Sequence, residues 1–147
     1  MFDSLEDLAD WLAADGIDCS LQADFLEMPI DEAELTATLQ ITGEWLVFKA
    51  YLGEWSPRFN DAGYSTLLLL QDRLIGLRFS IADNDLWVIQ DFPTDALSED
   101  FSVYLRSAFW VLGVILKPLT AALSRDTPMS GDEIDAMFEP VGAARLN

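Results

Sequence analysis

Residues 34–52 read Glu34-Leu-Thr-Ala-Thr-Leu-Gln-Ile-Thr42-Gly43-Glu44-Trp45-Leu-Val-Phe-Lys-Ala-Tyr-Leu52, and their alternation decides the fold class. Leu35, Ala37, Leu39 and Ile41 take every second position, with Thr36, Thr38, Gln40 and Thr42 between them. A period of two sends alternate side chains to opposite faces, so 34–42 is a strand with one buried and one wet face. Gly43 makes the turn. Residues 44–52 form the next strand, with Leu46, Phe48, Ala50 and Leu52 on one side and Trp45, Val47, Lys49 and Tyr51 on the other. So short a turn requires antiparallel pairing. Neither face of this second strand is fully polar.

Upstream, residues 17–28 also alternate, with Ile17, Cys19, Leu21, Ala23 and Phe25 on one side, and read as a strand that turns at Met28-Pro29. Before it, Leu5, Leu8, Ala9 and Leu12 recur at three- and four-residue spacing, with Phe2 one turn earlier, which predicts a helix over 3–14. Asp3 or Ser4 can cap it, and Gly16 ends it. Downstream, Gly53-Glu54-Trp55-Ser56-Pro57 is a loop, and Asn60 or Asp61 caps a helix reaching about residue 72. Strands 77–82 and 86–92 follow Gly76 and are joined by Asp83-Asn84, residues that tolerate a left-handed backbone. Asp95 or Ser98 then caps a helix over 98–117, which Pro118 should end or kink. Ser130-Gly-Asp-Glu133 is a capping box for a short helix, 131–139, stopped by Pro140. The resulting fold class is α+β, an antiparallel five-stranded sheet with helices packed on one face. The order is α-β-β-β-α-β-β-α plus a short C-terminal helix. Residues 1–125 are expected to form a single domain and 126–147 a tail.

Composition excludes several chemistries. The 147 residues include no histidine and one cysteine, Cys19. Histidine-based triads, imidazole general bases and His-dependent zinc sites are therefore absent. A lone thiol makes no intramolecular disulfide or Cys-rich metal site, and in its alternating context Cys19 reads as a small buried hydrophobe. The 26 acidic and 8 basic residues give a formal charge of −18. That balance opposes phosphate backbones and anionic membrane surfaces and favours a basic or apolar partner. The apolar run Ser107–Leu116 is too short to span a bilayer before Lys117-Pro118. The acidic beginning of the chain is unlike a basic targeting segment, so a cytoplasmic location is expected. Residues 1–48 carry 12 acids and no base, whereas 101–125 carry Arg106, Lys117 and Arg125 and no acid, so the two stretches can attract each other.

One stretch carries a family resemblance. It begins with Leu67-Leu-Leu-Leu70 and Gly76-Leu-Arg-Phe-Ser80. It continues through Asp83-Asn84-Asp85-Leu86-Trp87-Val88 to Asp91-Phe92-Pro93, with the Ser98-Glu99-Asp100 helix after it. This resembles the helix–Gly–strand–turn–strand core of the type III secretion chaperone-like fold, including the YbjN-type family. By order of elements, the resemblance extends over roughly residues 2–120. It implies a small, acidic, cytosolic and usually homodimeric protein that has no enzymatic activity and binds a protein segment in extended form.

The candidate partner-binding or dimer-interface residues are Trp45, Tyr51, Trp87, Ile89, Phe109 and Trp110. Trp45 and Tyr51 share one side of their strand, and Trp87 and Ile89 share one side of theirs. With helices on the opposite face these side chains form an apolar patch, a usual mark of interaction. Core burial, a homodimer contact and scattered surface placement are the competing readings. The helix carrying Phe109 and Trp110 is apolar nearly all round and needs cover, either from a second copy or from the first helix and the tail. Asp83 and Asp85 fit a hairpin turn better than a calcium loop. Asp132, Glu133 and Asp135 fit a helix start. No catalytic residue, metal ligand or cofactor is assigned. The leading expectation is a non-enzymatic, chaperone-like or regulatory protein-binding module that uses apolar pockets and open strand edges to capture a protein or peptide partner of basic character. The alternatives are a small carboxylate-based enzyme or metal-binding protein, and a structural subunit of a larger assembly.

Overall fold

The computed structural model describes residues 4–31, 34–55, 61–74, 76–94 and 101–146, without side-chain detail at 116–118, 120 and 139–146. The helices are α1 (Leu5–Ala14), α2 (Asp61–Arg73), α3 (Phe101–Leu123) and α4 (Gly131–Leu146). The strands are β1 (Ser20–Leu21), β2 (Leu26–Ile30), β3 (Leu35–Thr42), β4 (Trp45–Glu54), β5 (Arg78–Ala82) and β6 (Asp85–Pro93). They form one antiparallel sheet in the order β1-β2-β3-β4-β6-β5. The caps expected at Asp3, Asn60, Asp95 and Ser98 lie outside the described residues, as do Phe2, Ser56, Pro57, Glu99 and Asp100.

The α+β class and the antiparallel sheet hold, but among the described residues the sheet has six strands rather than five. The alternation in 17–28 concealed a reversal. The chain turns back at Gln22, whose N–H donates to Phe25 O at 2.9 Å, so the segment is two strands, β1 and β2. Beyond the turn the inward parity changes from odd to even, and Leu26, Met28 and Ile30 are the buried residues. Met28-Pro29 therefore lies inside β2. Pro29 is tolerated there because β1 reaches only as far as Glu27, leaving that side of the strand without a neighbour among the described residues.

The central hairpin follows the expected pattern. Gly43 adopts φ +61 in the two-residue turn between Thr42 and Trp45, a conformation that costs a residue without Cβ little. The turn between β5 and β6 places Asp83 and Asn84 at φ +52 and +66, which matches the twist of the flanking strands. Near its end β4 carries a bulge, where Tyr51 pairs with Trp87 but Gly53 pairs with Leu86, so Leu52 is the extra residue.

The helices cover one face. Leu39, Phe48, Ala50 and Val88 of the sheet share a core with Leu8 and Leu12 of α1 and Leu105 and Leu112 of α3. Phe48 and Phe109 meet with ring centroids 6.0 Å apart, and Phe101 meets Phe92 edge-on at 4.9 Å. Ser4 caps α1 by accepting from Asp7 N–H at 3.2 Å. At the other end of α1, Arg106 donates to Asp15 O at 2.5 Å, which places a cation on the negative end of the helix. This contact joins the beginning of the chain to α3 through a backbone carbonyl rather than through a carboxylate.

Two prolines do not stop their helices. α3 continues past position 118 to Leu123, where Leu119, Ala122 and Leu123 are all buried. Burying those side chains offsets the single backbone bond that a proline removes. α4 continues past position 140 to Leu146. Its start is the expected capping box, with Ser130 Oγ accepting from Glu133 N–H at 3.2 Å and Glu133 Oε1 accepting from Ser130 N–H at 3.1 Å. Ile134 and Met129 join the core, and Thr66 Oγ1 accepts from Met129 N–H at 3.1 Å. This docking of α4 against α2 and α3 supplies part of the cover that the apolar helix required.

Phe48→Ala is expected to cost about 3–5 kcal/mol in urea unfolding, whereas Leu68→Ala, at a side chain 73% exposed, should stay within about 0.5 kcal/mol. A second expectation concerns Glu133, which Arg125 grips at 2.5 and 3.3 Å. The Arg125 bond and the Ser130 N–H hold its carboxyl down to about 2, against an ordinary 4.5. A depressed carboxyl stabilises the fold above its unfolded pKa and loses that contribution as pH falls through the folded one. Thermal unfolding of the unmodified chain and of Glu133→Gln should therefore differ at pH 7 and converge between pH 4.5 and 2.

Candidate functional site

The face of the sheet opposite the helices carries the odd-numbered side chains of β4 and β6. Strand register brings them into rows, with Trp45 opposite Pro93, Val47 opposite Asp91, Lys49 opposite Ile89 and Tyr51 opposite Trp87. Beyond β4, the same face continues over Thr42, Gln40 and Thr38 of β3. Beyond β6 it continues over Arg78 and Ser80 of β5. The surface is thus an apolar and aromatic band between two polar margins.

The aromatic groups are held in different ways. Tyr51 and Trp87 stack with ring centroids 5.0 Å apart. The Lys49 ammonium lies 5.0 Å from the Trp87 ring centroid, close enough for attraction to its π face. Trp87 is therefore engaged by both neighbours and only partly exposed. Tyr51 is pinned as well, since its hydroxyl donates to Asp85 Oδ1 at 2.9 Å, which raises the phenol above its usual 10. Ile89 is 9% exposed yet does not belong to the main core. It lies in register between Lys49 and Arg78, and Arg78 reaches Asp91 at 2.6 Å. Long charged side chains thus flank this apolar residue. Trp45 is 50% exposed. It stands at the corner of the sheet, where Thr94 N–H and Oγ1 both donate to Glu44 O, at 2.9 and 3.0 Å, and tie the end of β6 to the β3–β4 turn.

Of the residues singled out in the sequence, the structure brings Trp45, Tyr51, Trp87 and Ile89 onto this one face. Phe109 is not there: it is 7% exposed and packs on Phe48 at the covered face. Trp110 is half-buried against the same core. An apolar helix cannot reveal from its sequence which of its sides meets the sheet and which meets other helices. The structure also exposes apolar residues that the periodicity hid. On α2, Tyr64 and Leu68 are 46% and 73% exposed, and on α3, Val103 and Tyr104 are 60% and 55% exposed. The signal for Leu68 was present, because Leu67 and Leu70 share the buried side of α2 while Leu68 turns away.

Among the described residues no group of three acidic or cysteine side chains is placed to hold a metal ion. Cys19 is half-buried, and desolvation, followed by Asp18 and Asp10, pushes its thiol up rather than activating it. No helix among the described residues is long and apolar enough to cross a membrane.

The architecture also occurs in solved structures. YbjN from E. coli superimposes with a TM-score of 0.66 and 16% identity over 80% of this chain and 92% of that one. A chain of the heterodimeric ExoU-SpcU complex from the type III secretion system of Pseudomonas aeruginosa superimposes with a TM-score of 0.60. It is 15% identical over 76% of this chain and 96% of that one. The fold is that of the YbjN-type and type III secretion chaperone-like proteins. No family model matches the sequence, and no curated protein matches it.

The Tyr51–Asp85 contact has a measurable consequence. Asp85→Asn removes the carboxylate that opposes ionisation of the phenol, so the alkaline titration midpoint of Tyr51 followed by NMR should move down toward 10.

Proposed function

We propose that this chain is a non-enzymatic, chaperone-like or regulatory protein-binding module whose open sheet face holds an extended segment of a basic partner protein. The observation that carries the reading is the uncovered aromatic band, with Trp45 half-exposed at one corner and the Tyr51–Trp87 stack fixed at the other end. Exposed apolar bands rimmed by polar residues are surfaces for other molecules. Rigid aromatic groups lose little entropy when a partner covers them. One of the structural neighbours comes from a heterodimeric complex, which supports a partner protein over a small substrate.

Charge supports a basic segment. Every described cationic side chain already has an internal partner. Lys49 lies over Trp87, Arg73 pairs with Asp135, and Arg78 pairs with Asp91. Arg106 holds Asp15 O, and Arg125 pairs with Glu133. The surplus of acids behind the net charge of −18 therefore acts outward, repelling acidic partners and steering basic ones. The same reading has the protein act in the cytoplasm as a homodimer, without direct contact with nucleic acid.

The test is recovery of a stoichiometric partner from lysate of the source cell by tagged protein. Trp45→Ser and Tyr51→Ser should each reduce recovery at least tenfold while leaving the circular dichroism unchanged, and Tyr104→Ser on α3 should not. Equal recovery by all the variants would sink the open face as the binding surface. Sedimentation equilibrium should return twice 16.4 kDa for the free protein.

A further inference from the structure

We infer that the side-chain amide of Gln71 stands in for a neighbouring strand and closes the free edge of β5 against pairing with a second copy of this chain. Among the described residues β5 ends the sheet on one side. Its two-residue turn makes Ala82 and Asp85 the flanking pair, so backbone groups of Arg78, Ser80 and Ala82 point to β6 while those of Phe79 and Ile81 point outward. Gln71 on α2 meets that outward side with both ends of its amide. Nε2 donates to Leu77 O at 2.6 Å, and Oε1 accepts from Phe79 N–H at 2.7 Å. A donor to one residue and an acceptor from the second residue along is the pattern that the N–H and C=O of a single residue in a parallel neighbouring strand make.

The two ends of the sheet are defended differently. At the far end, β1 has two residues, and the part of β2 beyond it contains Pro29, which has no N–H to offer. β5 has neither protection. Its sequence Leu77-Arg-Phe-Ser-Ile-Ala82 contains no acid, so the repulsion that a charge of −18 provides elsewhere is weakest here. Its one charge, Arg78, is tied to Asp91. An acid-free alternating edge is a template for self-pairing. With Gln71 in place, the outward backbone groups of Leu77 and Phe79 are partly satisfied, and Ile81, 39% exposed, is left as a stub too short to pair.

The test uses Gln71→Met, which keeps length and helix propensity and loses both bonds. Sedimentation velocity across a concentration series should detect assembly beyond the state of the unmodified chain at tenfold or more lower concentration. Adding Ile81→Pro should abolish it, because that N–H faces outward and contributes nothing to β6. In the unmodified chain, amide exchange at Phe79 should be at least tenfold slower than at Ile81. A folded Gln71→Met chain with unchanged sedimentation would overturn the proposal. So would assembly that survives Ile81→Pro, or equal exchange at Phe79 and Ile81 should the variant fail to fold.

Discussion

Phe48 lies fully buried in the middle of β4, and its ring meets Phe109 of α3 across the layer between sheet and helices. The direction of that one side chain sets the direction of every other on the strand, because the side-chain period is two. Leu46 and Ala50 must then also face the helices, and Trp45, Val47, Lys49 and Tyr51 must face away. Register carries the choice to β3 through Leu39 opposite Phe48, and to β6 through Val88 opposite Ala50. A slip of one residue would bury Lys49 and expose Phe48. The cost of burying an unpaired ammonium makes that alternative inaccessible.

The open face follows from the same constraint. α1, α2, α3 and α4 are used in covering one side and one another, so the aromatic groups of the other side must satisfy themselves locally. Trp87 does so between Tyr51 and Lys49, and Ile89 does so between Lys49 and Arg78. Among the described residues no ring stacks on Trp45, which keeps half of its surface exposed. The band is thus graded, self-contained at the Trp87 end and open at the Trp45 end.

Cations are scarce, and the fold spends them as clips between elements. Arg106 joins α3 to the end of α1, Arg73 joins α2 to α4, and Arg78 joins β5 to β6. Each is at the surface, so each contributes modestly to stability. Their larger effect is on what is left over, since pairing the described positive groups internally leaves the acidic excess to shape encounters with other molecules.

Much of this was legible in the chain of residues. The period of two in 34–52 is local, so it determined the central hairpin, its turn and the two faces of β4. Short-range chemistry likewise narrowed the first cap to Asp3 or Ser4 and determined the turn at Asp83-Asn84 and the box at Ser130 and Glu133, because each needs only residues a few positions apart. The tight reversal at Gln22–Phe25 was not legible, because it contains neither glycine nor proline and keeps the apolar alternation going on both sides. Only the tertiary structure decided that Phe109 faces the sheet, that helices pass positions 118 and 140, and that Gln71 reaches the edge of β5. These depend on contacts between residues distant in sequence or on burial outweighing a local preference, and neither quantity exists until the chain has folded back on itself.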